Sequence, residues 1–174
     1  ILINLTHRGA CGCDPETGDG AGITIQIPHK FFQRECSKLG FTLPASGEYG
    51  VGMVFLPVES NARLRCEGIL ERIAREEELE VLGWRDTPIN SDAIGRLARS
   101  SQPYIEQIFI GRTPGMTQDQ LERKLYVVRK RAEKEIATHE DMKEHEFFYI
   151  PSMSTRTIVY KGLLLAPQIS QFYK

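Results

Sequence analysis

The sequence is poor in the features that mark membrane proteins, nucleic-acid binders and disulfide-rich secreted chains. No apolar run approaches the ~20 residues that a membrane-spanning helix needs. The 22 basic and 23 acidic residues leave a formal net charge of -1, so no overall field attracts nucleic acid or an anionic membrane. Only four cysteines occur in 174 residues, which favours reduced thiols over a disulfide framework. We therefore expect neither nucleic acid nor a membrane as a partner.

Several motifs of catalysis and ligand binding are also missing. No glycine-rich phosphate fingerprint opens a helix after the first strand pattern, which disfavours a doubly wound nucleotide-binding fold. No G-x-S-x-G elbow is present, so the segment 152–157 is interpreted as a polar hairpin turn. Cys11 and Cys13 have no second cysteine pair nearby, which is a poor zinc signature, and we predict no metal site. We interpret both as inert thiols; a cysteine nucleophile activated by His7 or Arg8 is the alternative.

The first residues indicate a chain that starts inside a longer protein. Ile1 stands where Met would begin a complete chain, and residues 1–5 are typical of the last turns of an apolar helix. The start has neither the basic residues nor the small-residue cleavage site of a signal peptide. We expect a single domain over 1–174, within a cytoplasmic or plastid protein.

Strand and helix patterns alternate through the rest of the chain, which indicates a layered mixture of the two. Strand patterns cover 23–28, 49–57, 79–88, 104–112, 146–154 and 156–165. Helix patterns cover 29–40, 60–78, 91–102 and 116–140, and a last helix is expected to start within 166–174.

Three helix boundaries carry their own signals. Gly40 is expected just past the end of the first helix, and Ser60 or Asn61 at the start of the second. Thr117 followed by Gln120 predicts a capping box at the start of the longest helix. The second helix is expected to bury one face, formed by Leu64, Ile69, Leu70 and Ile73.

The most informative stretch runs from Leu5 to Pro28 and contains five glycines. Its segment Gly18–Gly22 precedes a strand rather than a helix, unlike a phosphate-binding loop. A structural turn and a ligand cradle both stay open, and spacing favours the turn. Arg8 can pair with a substrate carboxylate or with an acidic neighbour. Those neighbours are Asp14, Glu16 and Asp19.

Two motifs in this sequence resemble a known family. The stretch LTHRGACGCDPETGDGAGI resembles the His-Arg-Gly segment of class II glutamine amidotransferases. The later stretch SMSTRTIVYKGLLLAPQISQFY, together with the first, is similar to the amidotransferase domain of glutamate synthase large chains. The two motifs bracket almost the whole chain.

The resemblance implies a fold and a chemistry. The fold is α+β, a four-layer αββα sandwich of the N-terminal-nucleophile hydrolase type, here incomplete. In the family, a cysteine at the mature N-terminus attacks the side-chain amide of L-glutamine and releases ammonia. The ammonia serves the conversion of 2-oxoglutarate to glutamate in a synthase domain of the same polypeptide. That domain holds FMN and an iron–sulfur cluster, and we expect no cofactor in the present fragment.

The resemblance also assigns site residues. Arg8 matches the arginine beside the nucleophile, and His7, Gly9 and Asp19 complete the expected substrate-binding set. The nucleophile itself is expected upstream of Ile1, so the fragment is expected to be inactive alone. Structural roles are expected for three residues of the late motif, namely Arg156, Thr157 and Lys161.

Two further questions stay open at this stage. A non-catalytic regulatory or scaffold domain with the same fold is the alternative function. The missing parts of the domain either exist elsewhere in the protein, or the fragment forms a homo-oligomer through its open strand edges.

Overall fold

The computed structural model describes residues 4, 14–139 and 147–174. The chain divides into two compact units, each described here by itself. Unit 1 comprises Ile1–Thr24, Thr87–Gln102 and Val159–Lys174, and unit 2 comprises Ile25–Asp86 and Pro103–Ile158.

Six strands are present in the described residues. They are β1 (Ala21–Gln26), β2 (Tyr49–Leu56), β3 (Glu80–Asp86), β4 (Tyr104–Gly111), β5 (Tyr149–Ser154) and β6 (Thr157–Gly162). The α-helices are α1 (His29–Lys38), α2 (Ser60–Glu76), α3 (Arg96–Ser100), α4 (Gln118–Ala137) and α5 (Ile169–Phe172). Short 3-10 turns occupy Ser91–Ala93 and Ala166–Gln168.

Unit 2 is built around an antiparallel sheet with the strand order β3-β4-β2-β5. Helix α2 connects β2 to β3, and helix α4 connects β4 to β5. This succession of strand, helix, two strands, helix and strand is the split βαβ arrangement. Both helices pack against one face of the sheet and enclose a single hydrophobic core.

Alternation along the central strands explains why that face is apolar. Val54 and Leu56 on β2, and Ile108 and Ile110 on β4, are fully buried in the core beneath α2 and α4. Successive side chains of a strand point to opposite faces, so these residues lie on one side of the sheet. Burying a side chain of this size stabilises the fold by about 1.5–3 kcal/mol.

Helix α4 begins as its sequence predicts. The Thr117 hydroxyl accepts a hydrogen bond from the Gln120 N–H at 3.3 Å, and the Gln120 side chain accepts one from the Thr117 N–H at 2.8 Å. The predicted capping box is therefore confirmed. The buried stripe of this helix consists of Leu121, Leu125, Val128, Ala132 and Ile136.

Helix α2 begins at Ser60, and its N-cap lies one residue before the predicted positions. Its N-cap is Glu59, whose carboxylate accepts hydrogen bonds from the N–H groups of Asn61 and Ala62 at 3.0 and 2.7 Å. The predicted cap at Ser60 or Asn61 is therefore wrong. Leu64 is also misassigned, since it is 61% exposed. The buried stripe consists of Ala62, Cys66, Leu70, Ile73 and Ala74.

The opposite face of the four-stranded sheet carries an aromatic cluster. Phe109 of β4 lies edge-on to Phe32 of α1, with ring centroids 5.2 Å apart. The rings of Phe41 and Tyr49 also lie near the Phe109 ring, with centroids 5.7 and 6.3 Å from its centroid. Helix α1 ends as predicted, because Gly40 adopts a positive φ of 88° just beyond it.

Strands β1 and β6 form a second, two-stranded sheet. The N–H of Ile27 bonds to the carbonyl of Arg156, whereas Gly22 lies against Lys161. Residue numbers thus decrease along β1 while they increase along β6, so the two strands are antiparallel. Strand β5 pairs with β2 instead, so the predicted hairpin at 152–157 is wrong. The turn there carries the chain from one sheet into the other.

Unit 1 contains the short helices. The N–H of Asn90 bonds to the carbonyl of Phe172 at 2.7 Å, and Ile89 forms an isolated bridge with Tyr173. The helix predicted over 91–102 is split into a 3-10 turn and α3, because Ile94 and Gly95 between them are extended.

The predicted α+β class is confirmed. Two antiparallel sheets are present, and the larger one carries two helices on one face, which is consistent with the N-terminal-nucleophile hydrolase type. Among the described residues, no helix combines the length and apolarity needed to cross a membrane.

Candidate functional site

Of the predicted site residues, some lie within the described part of the chain and others lie outside it. His7, Arg8 and Gly9 lie outside the described residues, as do Cys11 and Cys13, and their roles stay predictions. Asp19 is described, and its side chain is exposed on the loop that leads into β1. The structure therefore bears on the site through the loop 14–20 and the residues that hold it.

Asp14 organises the start of this loop. Its Oδ1 accepts a hydrogen bond from the Glu16 N–H at 3.1 Å, and its Oδ2 accepts one from the Thr17 hydroxyl at 2.8 Å. The same Oδ2 also accepts the N–H of Leu97 in α3, at 3.2 Å. The Thr17 hydroxyl bond, followed by the bonds from Leu97 and Glu16, lowers the pKa of Asp14 below its ordinary value.

Helix α3 depends on this loop for its cap. Its own N-cap, Gly95, offers no side-chain hydrogen bond. Asp14 caps the Leu97 N–H instead, and the Thr17 hydroxyl accepts the N–H of Ala98 at 3.3 Å. A Cβ at Gly95 would lie 2.4 Å from the Thr17 Oγ1, so only glycine lets the two segments approach this closely.

The other side of the loop rests on the C-terminal segment. A Cβ at Gly18 would lie only 2.2 Å from the carbonyl oxygen of Leu164, so backbone packs directly on backbone there. The Gln168 side chain donates a hydrogen bond to the carbonyl of Glu16 at 2.8 Å and accepts one from the Leu165 N–H at 2.7 Å. At Gly18, the absence of a side chain thus serves chain packing, as the structural-turn interpretation of this segment expects.

These contacts bear on which acidic side chain is available to form an ion pair with Arg8. Asp14 already accepts three hydrogen bonds from its own loop and from α3, which nearly fills the acceptor capacity of one carboxylate. Glu16 and Asp19 are exposed on the same loop. Of the three acidic neighbours considered for Arg8, Asp14 is the least available.

The three residues of the late motif, Arg156, Thr157 and Lys161, lie in the described part of the chain. The Arg156 guanidinium pairs with Asp119 at 2.5 Å, and both side chains are largely exposed. Thr157 opens β6, and the carbonyl of Lys161 accepts a hydrogen bond from the Tyr173 hydroxyl at 2.8 Å. These contacts join secondary-structure elements and are consistent with the structural roles expected for the motif.

The two described thiols are unsuited to nucleophilic catalysis. Cys36 and Cys66 are free and fully buried, on opposite faces of the four-stranded sheet. Burial raises the pKa of Cys36 to about 12, so its thiolate is scarce at neutral pH. The reduced state expected for the four cysteines stays a prediction. Within the described ranges, no group of three or more His, Cys, Asp or Glu residues is placed to hold a metal ion.

The sequence predicts Asp14 only as a possible partner of Arg8, and it predicts no role for Thr17 in fixing the loop. Asp14 and Thr17 are separated by two residues, the spacing at which an Asp side chain commonly bonds to the turn that follows it. That signal was readable from the sequence. The pairing of this turn with Leu97, eighty-three positions further on, was not.

Comparison with known proteins identifies relatives along the whole chain. The family model described as glutamine amidotransferases class-II matches residues 1–174. The large chain of an NADPH glutamate synthase from Bacillus subtilis is 44% identical over 99% of this chain. A ferredoxin-dependent glutamate synthase from Synechocystis is 40% identical over 97% of it, and a chloroplastic one from Oryza sativa is 39% identical over the same share. The chain spans only 10–11% of the length of these relatives.

Proposed function

Because the chain belongs to the class II glutamine amidotransferases, we propose that it is part of the glutamine-hydrolysing domain of a glutamate synthase large chain. The observation that carries this proposal is the 44% identity to a glutamate synthase large chain over 99% of the present sequence. Similarity that extends across both units, rather than over one motif, favours a shared activity as well as a shared fold.

The proposed chemistry is release of ammonia from L-glutamine. A cysteine thiolate attacks the side-chain carbonyl carbon, the C–N bond breaks and ammonia leaves, and water then hydrolyses the γ-glutamyl thioester to glutamate. We propose that Arg8, with His7 and Gly9, forms the wall beside that cysteine. Asp19 supports the same wall from a loop that Asp14 and Gln168 hold in place.

The ammonia would then serve the conversion of 2-oxoglutarate to glutamate in the synthase part of the same polypeptide. FMN and an iron–sulfur cluster are proposed for that part of the protein. The described thiols do not fit such a cluster, because Cys36 and Cys66 are buried on opposite faces of one sheet. A cytoplasmic location is proposed, or a plastid one if the protein is of the plant type.

The test uses the full-length protein that contains this chain. Ammonia release from glutamine is measured for the wild type, for Arg8→Ala and for Arg65→Ala, an exposed arginine on α2 that serves as the control. We expect Arg8→Ala to lower kcat/KM by about 10²-fold, the cost of a misplaced reacting group, and Arg65→Ala to leave it unchanged. Equal activities for all three proteins would contradict the role of Arg8.

Two further measurements separate this function from its alternatives. The 174-residue chain by itself is expected to release no ammonia from glutamine. Turnover by that chain, abolished by alkylation of Cys11 or Cys13, would assign the nucleophile to one of them. A full-length protein that makes glutamate from free ammonia but never from glutamine would favour the regulatory or scaffold domain.

A further inference from the structure

A buried carboxyl group lies in the split βαβ part of unit 2, on the helix-covered face of the sheet. Glu106 of β4 shares this face with Ile108 and Ile110 and is only 8% exposed. Its Oε2 atom is buried and finds no hydrogen-bond donor among the described residues. An ionised carboxylate oxygen without a donor is costly at this depth.

Two other carboxyl groups face Glu106 from neighbouring elements. Asp86 of β3 is its directly paired residue across the antiparallel ladder, and Glu67 approaches it from α2. Both carboxyl groups lie within hydrogen-bonding reach of the Glu106 side chain. Like charges directly opposite each other in a sheet are destabilising, so three ionised groups here would repel one another.

The surrounding groups do not supply enough positive charge to relieve this repulsion. On α2, Arg63 lies 3.8 Å from the Glu67 carboxylate and 4.0 Å above the Tyr104 ring. Glu71, also on α2, adds another negative charge near Glu67. On β4, the Tyr104 hydroxyl donates to Asp86 at 2.9 Å.

The Trp84 indole of β3 donates to Glu71 at 2.9 Å, and Arg75 of α2 pairs with the other oxygen of that carboxylate. Glu71 is thus a fourth acidic group beside the three, and Arg63 is the cation on Glu67 and Arg75 the cation on Glu71. Neither cation forms an ion pair with Glu106 or Asp86 in the described residues.

A proton resolves both the orphaned oxygen and the repulsion. If one of the paired carboxyl groups is protonated, its O–H can donate to the other, and one negative charge disappears. Burial, followed by the charge of Glu67, raises the pKa of Glu106 to about 8. Burial also raises the pKa of Glu67. The raised pKa values agree with the geometry, because burial and a neighbouring negative charge both favour the neutral acid.

We propose that Glu67, Asp86 and Glu106 form a proton-binding cluster that holds one proton at neutral pH and fastens helix α2 to strands β3 and β4 while that proton is bound. The cluster is independent of the proposed glutamine chemistry. It makes the packing of α2 on the sheet sensitive to alkaline pH.

The direction in which pH changes the stability follows from the difference in proton binding between the folded and unfolded chains. The folded state keeps the proton up to about pH 8, whereas the unfolded chain loses it near the ordinary value of 4.5. Stability is therefore fully present below pH 4.5 and is lost as the pH rises through 8. Over that window this cluster weakens the folding equilibrium by about tenfold per pH unit.

Urea unfolding of the 174-residue chain across pH tests the proposal, with Glu106→Gln as the variant. Glutamine has the same shape and donates an N–H at every pH, so it mimics the protonated acid. We expect the folding equilibrium of the wild type to weaken with pH about tenfold per unit more steeply than that of Glu106→Gln. Glu80→Gln, at an exposed position of β3, is the control and should keep the wild-type slope. Identical slopes for the wild type and Glu106→Gln would overturn the proposal.

Carboxyl-carbon NMR of the wild-type chain gives a second readout that needs no variant at Glu106. The Glu106 signal should titrate near pH 8, and Glu67→Gln should lower that midpoint while leaving it above 4.5 because burial persists. A Glu106 signal that titrates near pH 4.5 in the folded wild type would show that no proton is held.

Discussion

The Glu122 carboxylate on α4 accepts hydrogen bonds from both the N–H and the hydroxyl of Thr155, at 2.7 and 2.6 Å. Its second oxygen accepts the Ser154 hydroxyl at 2.7 Å. One side chain thus fixes the turn at which the chain leaves β5, in the larger sheet, and enters β6, in the smaller one. Gln118 supports it by donating to the Thr155 hydroxyl at 3.1 Å.

Glu122→Gln is expected to lower the free energy of unfolding by about 2 kcal/mol, since hydrogen bonds to a charged acceptor are the stronger ones. The amide retains one acceptor oxygen and turns an N–H₂ group toward the Thr155 donors. Urea unfolding at neutral pH measures the loss. Glu133→Gln on the same helix is the control, because Glu133 pairs with Arg129 and Lys130 on the surface and should cost at most about 0.5 kcal/mol.

The same carboxylate predicts an acid dependence. Burial works to raise the pKa of Glu122, but its donors at Thr155 and Ser154 outweigh burial and hold the pKa below 4.5. The stability that it contributes is present above pH 4.5 and is lost as the pH falls through its folded-state pKa. The wild type should therefore lose more stability on acidification than Glu122→Gln. Parallel acid curves would contradict this assignment.

Gly18→Ala tests the close approach beneath the glycine loop. The new methyl group would lie 2.2 Å from the carbonyl oxygen of Leu164, which is backbone and cannot rotate away. We expect the free energy of unfolding to fall by about 1–3 kcal/mol. Gly68→Ala is the matched control, because Gly68 is exposed on α2 and has nothing within 4 Å of a new Cβ. That change should raise stability by about 0.5–1 kcal/mol. Equal losses at both positions would refute the packing argument.

Asp14→Ala should free the start of α3. The variant removes the acceptor of the Leu97 N–H and the partner of the Thr17 hydroxyl, so the thermal midpoint should fall. Hydrogen exchange of the Leu97 amide, followed by NMR, should accelerate more than that of amides in α4. Asp92→Ala is the control, since the Asp92 side chain is 87% exposed and its ion pair in the described part of the chain is a surface pair with Arg99. Unchanged exchange at Leu97 would show that Asp14 is not the cap.

Local signals in the sequence predicted local structure well. Thr117 and Gln120 identified the start of α4 because a capping box lies within four consecutive residues. The cap of α2 was misplaced because Glu59 reaches the same N–H groups from one position earlier. The placement of Leu64 on the buried face is wrong for a local reason: Leu64 and Ile73 are about two and a half turns apart, so Leu64 lies on the side of α2 opposite the stripe through Cys66 and Leu70.

Non-local relationships could not be read in the same way. The alternation of 152–160 predicts two strands separated by a turn, which is what a hairpin also shows, but strand partners are chosen by distant residues. For the site, the family resemblance predicts a substrate-binding role for Asp19, and that role stays a prediction. The contacts of Asp14 with Leu97 and of Gln168 with Glu16 depend on the folded chain and could not be predicted. The buried proton cluster was likewise invisible, because Glu67, Asp86 and Glu106 come from three separate elements.

The buried thiols provide the last prediction. Cys36 and Cys66 are fully buried, and burial raises the pKa of Cys36 to about 12, so its thiolate is scarce at pH 8. Iodoacetamide should therefore leave both residues unmodified in the native chain at pH 8, as measured by mass spectrometry of proteolytic peptides. The same treatment in guanidinium chloride is the control and should alkylate both. Rapid modification of Cys36 in the native chain would mean that α1 does not bury it, and Cys36 would then become a third thiol to test as nucleophile beside Cys11 and Cys13.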